Sequence, residues 1–275
     1  MKRSFVRPFA DVTYSDVATA GGKGASLGDM AQAGLPVPPG FVITAAAFER
    51  FHDSEIPKPV EREIMIAFDA LGAEHVAVRS SATAEDGEAA AWAGQLESYL
   101  YTPRAEIFAR VREAWNSLSS PRATLYRQEQ GLADTPIAVA VVVQKMIVAE
   151  VSGVAFTANP ITGNRLELMI EAVYGDNEAL VGGRITPDNY LLEMSTGTVL
   201  SADTAPQPVM FRRGKERPVA ANSRAQAKLT PVQLQELAAI CRKVAAHFGR
   251  PQDIEWVHDG THFYLVQARP ITTLG

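Results

Sequence analysis

Cysteine is almost absent from this 275-residue chain. The single Cys241 excludes an intrachain disulfide and fits a reducing compartment. It lies in a helical stretch, Leu237 to Val244, where a buried structural thiol is the natural reading. No run approaches the roughly 20 apolar residues of a membrane span. Met1-Lys2-Arg3-Ser4-Phe5 is not followed by an apolar stretch of signal length. Basic residues are not in excess either. Lys and Arg number 26 against 31 Asp and Glu, a net charge of -5. That balance argues against a nucleic-acid footprint, although a local basic cleft is compatible with it. There is no internal repeat and no low-complexity tract. These absences point to a cytoplasmic protein with no membrane or nucleic-acid partner. What remains is ordinary for a globular chain, 47% apolar and 21% charged. The length allows one large domain or two smaller ones.

The first dense stretch is Gly21-Gly22-Lys23-Gly24-Ala25-Ser26-Leu27-Gly28, a glycine-rich entry into a short helix ending near Gly34. Glycines let backbone amides approach an anion, and Lys23 adds a point charge. It is not a P-loop, because Lys23 lacks the upstream glycine spacing and a following Ser or Thr. A capped helix with an exposed lysine describes it equally well. Phe41–Thr44 reads as a strand, with Thr44 the N-cap of a helix from Ala45 to Phe51. Helices are also expected over Val60–Leu71 and Ala105–Leu118, the second with Ile107, Val111 and Trp115 on one stripe.

Val76-Ala77-Val78 reads as a short strand delivering Arg79, Ser80, Ser81, Thr83, Glu85 and Asp86 into a loop. Arg and small hydroxyls suit a polyphosphate lining, and a serine-rich surface turn is the alternative. Small residues then run through Trp92-Ala93-Gly94-Gln95, able to close over a ligand. The apolar run from Ile137 to Ile147 reads as a buried strand with a hinge at its end. Backbone groups at such a point can read an adenine edge, with Met146 on its face. Two antiparallel strands follow around the Asn159–Asn164 turn, and Glu171 near the end of the second is placed to bind a ribose. Residues 201–224, rich in Pro, Arg and Ala, read as a mobile excursion. Thr230-Pro231 starts a helix that stops near Gly249.

The chain closes on a hairpin, Asp253–Val257 and Phe263–Pro270, around Asp259-Gly260. Alternation puts Asp253, Glu255 and Val257 on one face, and Leu265, Gln267 and Arg269 on one face. If these faces meet, a carboxylate, a carboxamide and a guanidinium share one surface. Such oxygens suit Mg²⁺, and the Arg suits a phosphoryl group. An edge hairpin with one solvated face is the plainer description. His258 and His262, flanking the turn, are expected to be exposed.

Taken together, the Gly21–Gly28 stretch, Ala77–Asp86, Ser152-Gly153-Val154-Ala155-Phe156-Thr157, Asp253-Ile254-Glu255-Trp256 and Val266-Gln267-Ala268-Arg269-Pro270 resemble the N-terminal ATP-grasp domain of the dikinases. That family holds phosphoenolpyruvate synthase, pyruvate phosphate dikinase and rifampin phosphotransferase. The resemblance covers nearly the whole chain in order, and the Phe156–Gly163 and Arg269–Leu274 segments look nearest to the rifampin branch. It implies an α/β (α+β) ATP-grasp fold with two subdomains, 1–145 and 146–275, holding ATP between them. It also implies roles. Lys23 and Arg79 would bind phosphates, covered by Thr83 and the loop holding Gly94 and Gln95. Gln144, Lys145, Met146 and Ile147 would hold adenine, and Glu171 the ribose. Glu255 and Gln267 would carry Mg²⁺. Arg269 would clamp the transferring phosphoryl group, with Lys23 and Arg79 as its catalytic partners. In the family the β-phosphoryl group of ATP passes to a histidine on another domain and then to a small-molecule acceptor. None of His52, His75, His247, His258 and His262 lies in a phosphohistidine motif, so at most the first half-reaction is expected here, with a histidine-bearing domain or protein as partner. Three departures stand out. Ala91-Trp92-Ala93-Gly94 replaces a Ser-Phe-Ala-Gly loop, Gly175-Asp176-Asn177-Glu178 replaces Gly-Leu-Gly-Glu, and the segment between Phe51 and Val76 is short.

Overall fold

The computed structural model describes residues 4–83, 97–129, 135–272 and 274. The chain forms two compact units. One comprises 1–32 and 38–146, the other 33–37 and 147–275. The short 33–37 segment joins the second unit, where Leu265 N–H donates to Pro36 O at 2.8 Å.

The first unit runs β1 (Val6–Pro8), α1 (Val17–Gln32), β2 (Gly40–Ile43), α2 (Ala45–Phe51), α3 (Lys58–Ala70), β3 (His75–Ala82), β4 (Ser98–Pro103), α4 (Ile107–Asn116), α5 (Pro121–Glu129) and β5 (Val139–Lys145). Its sheet has the order β1-β2-β5-β3-β4, every pair antiparallel. Alternation sorts the side chains. Phe41, Ile43, Val76, Val78, Val139, Val141 and Val143 form one core with Phe48, Ile64, Phe68, Val111 and Trp115 of the helices. The opposite face meets α1. A Cβ at Gly24 would lie 3.1 Å from Val42 and 3.5 Å from Val142, so glycine lets the helix settle onto the sheet. Cover on both faces is why β5 reads as continuously apolar rather than alternating. The Ala45 helix forms as expected, but Thr44 makes no side-chain cap bond. Its hydroxyl reaches Ser4 O at 3.4 Å instead.

The second unit runs β6 (Val151–Phe156), β7 (Glu167–Tyr174), α6 (Glu178–Val181), β8 (Asp188–Glu193), β9 (Val199–Asp203), β10 (Val209–Arg212), β11 (Lys215–Pro218), α7 (Pro231–Phe248), β12 (Gln252–His258) and β13 (Phe263–Pro270). Six strands form an antiparallel sheet in the order β13-β12-β6-β7-β8-β9. Its apolar face carries Leu168, Ile170, Tyr190, Leu192, Ile254, Trp256 and Leu265, all buried. The helix α7 packs along β12 and buries Leu234, Leu237, Ala238, Cys241 and Val244. Thr230 caps it through a full capping box with Gln233, and Gly249 ends it in the left-handed conformation. Burial pushes the Cys241 thiol up to about 12, in keeping with a structural role.

Helices and antiparallel sheets in each unit give the expected α+β class. Two expectations fail here. The 201–224 excursion is not a loose loop. It completes β9 and carries the β10–β11 hairpin, and Gln207 pins it. The Gln207 amide donates to Tyr174 O and Val209 O, both at 3.0 Å, and accepts from Tyr174 N at 2.9 Å. His258 is not exposed. It is 4% accessible, and its Nδ1 accepts from Gly260 N at 3.1 Å, so it braces the turn. His262 is exposed, as expected.

Candidate functional site

In the first unit, Lys23, Arg79 and Gln144 come to one side of the sheet. Arg79 pairs with Val142 and Ala77 with Gln144, and Val142 and Gln144 pair in turn with Val42 and Gly40, placing these residues on the face that meets α1. Both cations are buried, Lys23 8% and Arg79 7% accessible. Lys23 is therefore not the exposed surface lysine of the plainer description. Its Nζ donates to Ser80 O at 2.9 Å. What places it is a break in α1. Gly21 has φ 69 and ψ 170, and the helix restarts beyond it. Ser81 Oγ accepts from Gly24 N at 3.0 Å and donates to Ala20 O at 2.9 Å, so one hydroxyl holds both sides of the break. A Cβ on Gly21 would stand 2.3 Å from Ser81 O and from Ser81 Oγ. Gly21→Ala meets both that clash and a left-handed φ, and is expected to destabilise the domain by about 2–3 kcal/mol in chemical denaturation. A loss below about 0.5 kcal/mol would show that the break has no structural role.

The serines correct the sequence reading. β3 does not end before them but runs on to Ala82, and both are fully buried inside it. Ser80 Oγ lies 3.1 to 3.2 Å from Ala114 O, Ser117 Oγ and Glu97 O. These hydroxyls hold the strand to its neighbours and do not line a loop. Thr83 sits one residue past β3, where its Oγ1 accepts from Ala138 N at 3.2 Å. Gly94 and Gln95 lie outside the described residues, as does the Ala91 departure. At the end of β5, Gln144 Nε2 donates to Pro38 O at 3.3 Å. Lys145 N–H donates to Pro39 O at 2.8 Å and Met146 N–H to His75 O at 3.1 Å, so both donors are taken by the strand ends on either side of β5. Ile147, the first residue past them, falls in the second unit.

In the second unit the hairpin delivers the polar face. Asp253 pairs with Arg269 and Glu255 with Gln267, and the second row continues through Val154 to Glu171 and Asn189. Paired residues share a face. Glu171, Asp253, Glu255, Gln267 and Arg269 therefore lie on one surface across four strands, opposite the apolar face. Leu265 does not join them. A bulge between Glu255 and Trp256 pairs Trp256 with Leu265 and turns Leu265 inward. Arg269 Nε and Nη2 donate to Asp253 Oδ2 at 2.9 and 2.7 Å.

Three carboxylates share this surface, and their electrostatics show it. Burial, and then the charge of Asp253, hold the Glu171 carboxyl above its ordinary value. Burial also raises Asp253, reinforced by Glu255 and opposed by Arg269. A carboxyl raised in the folded state contributes stability below its unfolded pKa and loses it as pH rises through the folded value. Ionised Glu171 is thus a cost to the unliganded fold at neutral pH. Glu171→Gln is expected to melt higher than the parent at pH 7.5, with the two curves converging below about pH 4. Parallel curves would contradict this account.

Glu255 and Gln267 offer one carboxylate and one amide oxygen. That set fits a hard Mg²⁺ ion which keeps most of its ligands as waters and phosphate oxygens. Among the described residues no group of three His, Cys, Asp or Glu is arranged to enclose a metal.

The family model for the pyruvate phosphate dikinase AMP/ATP-binding domain matches residues 17–55 and 49–275. The chain belongs to this family. It is 37% identical to a probable phosphoenolpyruvate synthase of Methanocaldococcus jannaschii, over 98% of this chain and 27% of the relative. The phosphoenolpyruvate synthase of Pyrococcus furiosus is 34% identical over 100% of this chain and 44% of its own length. A rifampicin phosphotransferase of Bacillus cereus is 36% identical over 98% and 36%. Overall identity therefore does not favour the rifampin branch that the turn motifs pointed to. The chain spans less than half of each of these relatives. Among solved structures, an ATP-complexed D-alanine–D-alanine ligase from Bacillus anthracis overlaps loosely, with TM-score 0.40 and 9% identity over 90% of this chain and 55% of that one. No helix among the described residues is long and apolar enough to cross a membrane.

Proposed function

We propose that this chain is an ATP-grasp domain that binds Mg-ATP and passes the β-phosphoryl group to a histidine on another domain or protein. The observation that carries the reading is the row of Glu171, Asp253, Glu255, Gln267 and Arg269 on one face of the second unit's sheet. In this reading Glu171 is the acid for the ribose, Glu255 and Gln267 are the Mg²⁺ ligands and Arg269 is the cationic clamp. Membership of an AMP/ATP-binding family supports it, as do the buried cations Lys23 and Arg79 on one face of the first unit.

In this reading Lys23 and Arg79 neutralise phosphate oxygens, and Thr83, Gly94 and Gln95 take the further phosphate-binding roles that the resemblance implies. Gln144, Lys145, Met146 and Ile147 hold the adenine. Mg²⁺ on Glu255 and Gln267 supplies charge neutralisation at the phosphates. A histidine nitrogen bonds to the β-phosphorus as the α–β bridge breaks, and AMP leaves with the bridging oxygen. Water then takes the γ-phosphoryl group as phosphate. Little covalent work falls to this chain. Its task is positioning and electrostatic stabilisation.

The test is nucleotide analysis after incubation with Mg-ATP, alone and with a dikinase phosphohistidine domain. AMP and phosphate in equal amounts, only when the histidine domain is present, are the expected products. ADP formed with a carboxylate acceptor would replace this reading with an ATP-grasp ligase. Binding without turnover in either mixture would reduce it to a nucleotide-binding module.

A further inference from the structure

We propose that Asp253 is a positioning residue for Arg269, fixing its guanidinium on the Glu255–Gln267 surface before a phosphoryl group arrives. This rests on the reading that Arg269 engages the transferring group. Arg269 lies on β13, the edge strand of the sheet, one residue from the strand's end. A long side chain in that setting loses rotamer entropy when a ligand fixes it. Asp253 removes that loss in advance. It takes both Nε and Nη2 on one oxygen, at 2.9 and 2.7 Å, and so sets the plane of the fork as well as its place. The pair is partly enclosed, with side-chain accessibilities of 13% for Asp253 and 29% for Arg269. On its other side Asp253 faces Phe156 of β6, and Phe156 faces Met169 of β7. The carboxylates of Glu171 and Glu255, on the same surface, repel Asp253. Arg269 is the cation that Asp253 holds there. A lysine could not take the place of Arg269 in this arrangement, since an ammonium lacks the planar fork that Asp253 grips.

An acid next to the phosphate clamp repels the nucleotide's own charge, so it does not serve ground-state affinity. Its benefit appears in the transfer step, and this separates positioning from mere structure. In Asp253→Asn the shape is kept and the charge is lost. Its dissociation constant for Mg-ATP is expected to stay within about threefold of the parent, or to tighten. AMP formation with a phosphohistidine domain should fall by about 10- to 100-fold. Adding Asp253→Asn to Arg269→Ala should slow it no further, because Asp253 acts through Arg269. Transfer at the parental rate in Asp253→Asn overturns the inference. So does a double variant slowed by the product of the two single effects.

Side-chain ¹⁵N NMR provides an arm that does not depend on turnover. The Arg269 Nε–H resonance, assigned by its loss in Arg269→Ala, should be protected from exchange in the parent and shift on addition of Mg-ATP. Both features should be lost in Asp253→Asn, and their survival overturns the inference. If the parent forms no AMP while these NMR changes are seen, the functional reading fails and the positioning of Arg269 stands.

Discussion

Asp188→Ala is expected to cost the domain about 3–5 kcal/mol in chemical denaturation, among the largest effects of any single substitution here. The Asp188 and Lys228 side chains are both fully inaccessible, and Lys228 Nζ donates to Asp188 Oδ1 at 2.6 Å. The carboxylate is saturated. Ala205 N donates to Oδ1 at 2.9 Å, and Lys228 N and the Tyr190 hydroxyl donate to Oδ2 at 2.9 and 2.8 Å. Tyr190 OH also accepts from Leu229 N at 3.4 Å. Burial, and then the bond to Asp188, keep that phenol protonated far above its ordinary range. One side chain thereby ties β8, the segment after β9 and the approach to α7. Its removal leaves a buried ammonium with no counter-ion, held by Ala205 O, and leaves the Ala205 and Lys228 backbone donors without their acceptor. Lys228→Met should cost less, because Asp188 keeps three donors. The double variant Asp188→Ala with Lys228→Met should recover part of the loss of Asp188→Ala alone, since no uncompensated charge remains. A loss below about 1 kcal/mol for Asp188→Ala, or strict additivity of the pair, would contradict this account.

This network also shows where the sequence stops being legible. Asp188 and Lys228 are 40 residues apart, and nothing local joins them. Residues 201–224, between them, read as loose because Pro, Arg and Ala leave few apolar clusters there. A single buried Gln207, bonded to both backbone groups of Tyr174, gives it order. Local pattern served better wherever one element carried its own signal. The helix start at Thr230-Pro231, the stripe of Ile107, Val111 and Trp115, and the alternation of β12 all appear at their expected places. Asp253, Glu255, Gln267 and Arg269 were readable as one surface for the same reason. Leu265 was misplaced because a bulge changes the face of a residue without changing any residue type. From sequence alone Ser80 and Ser81 read as a loop, because small hydroxyls favour turns. Here long-range acceptors at Ala20, Glu97 and Ala114 hold them in a strand.

Arg269→Ala is expected to lower AMP formation by about 10³-fold or more, the scale of a cation that stabilises charge on a transferring phosphoryl group. The expectation rests on the proposed function and on geometry. Arg269 shares a face with the Glu255–Gln267 pair, and Asp253 already holds its fork. Mg-ATP affinity should fall much less than the rate, because a group acting on charge that develops in transfer contributes mainly to the rate. Arg269→Lys keeps the charge but loses the fork, and should recover only a small part of the activity. Stability gives the control. Removing Arg269 strands Asp253 beside Glu171 and Glu255, so Arg269→Ala should also melt lower than the parent at pH 7.5. That deficit should shrink as acid protonates Asp253 and Glu171, whose raised values place this recovery above the ordinary carboxylate range. A variant that loses stability on this pH profile yet transfers at the parental rate would leave Arg269 as a structural counter-ion. Loss of transfer at full nucleotide occupancy, in a domain still folded at the assay temperature, would identify it as the clamp.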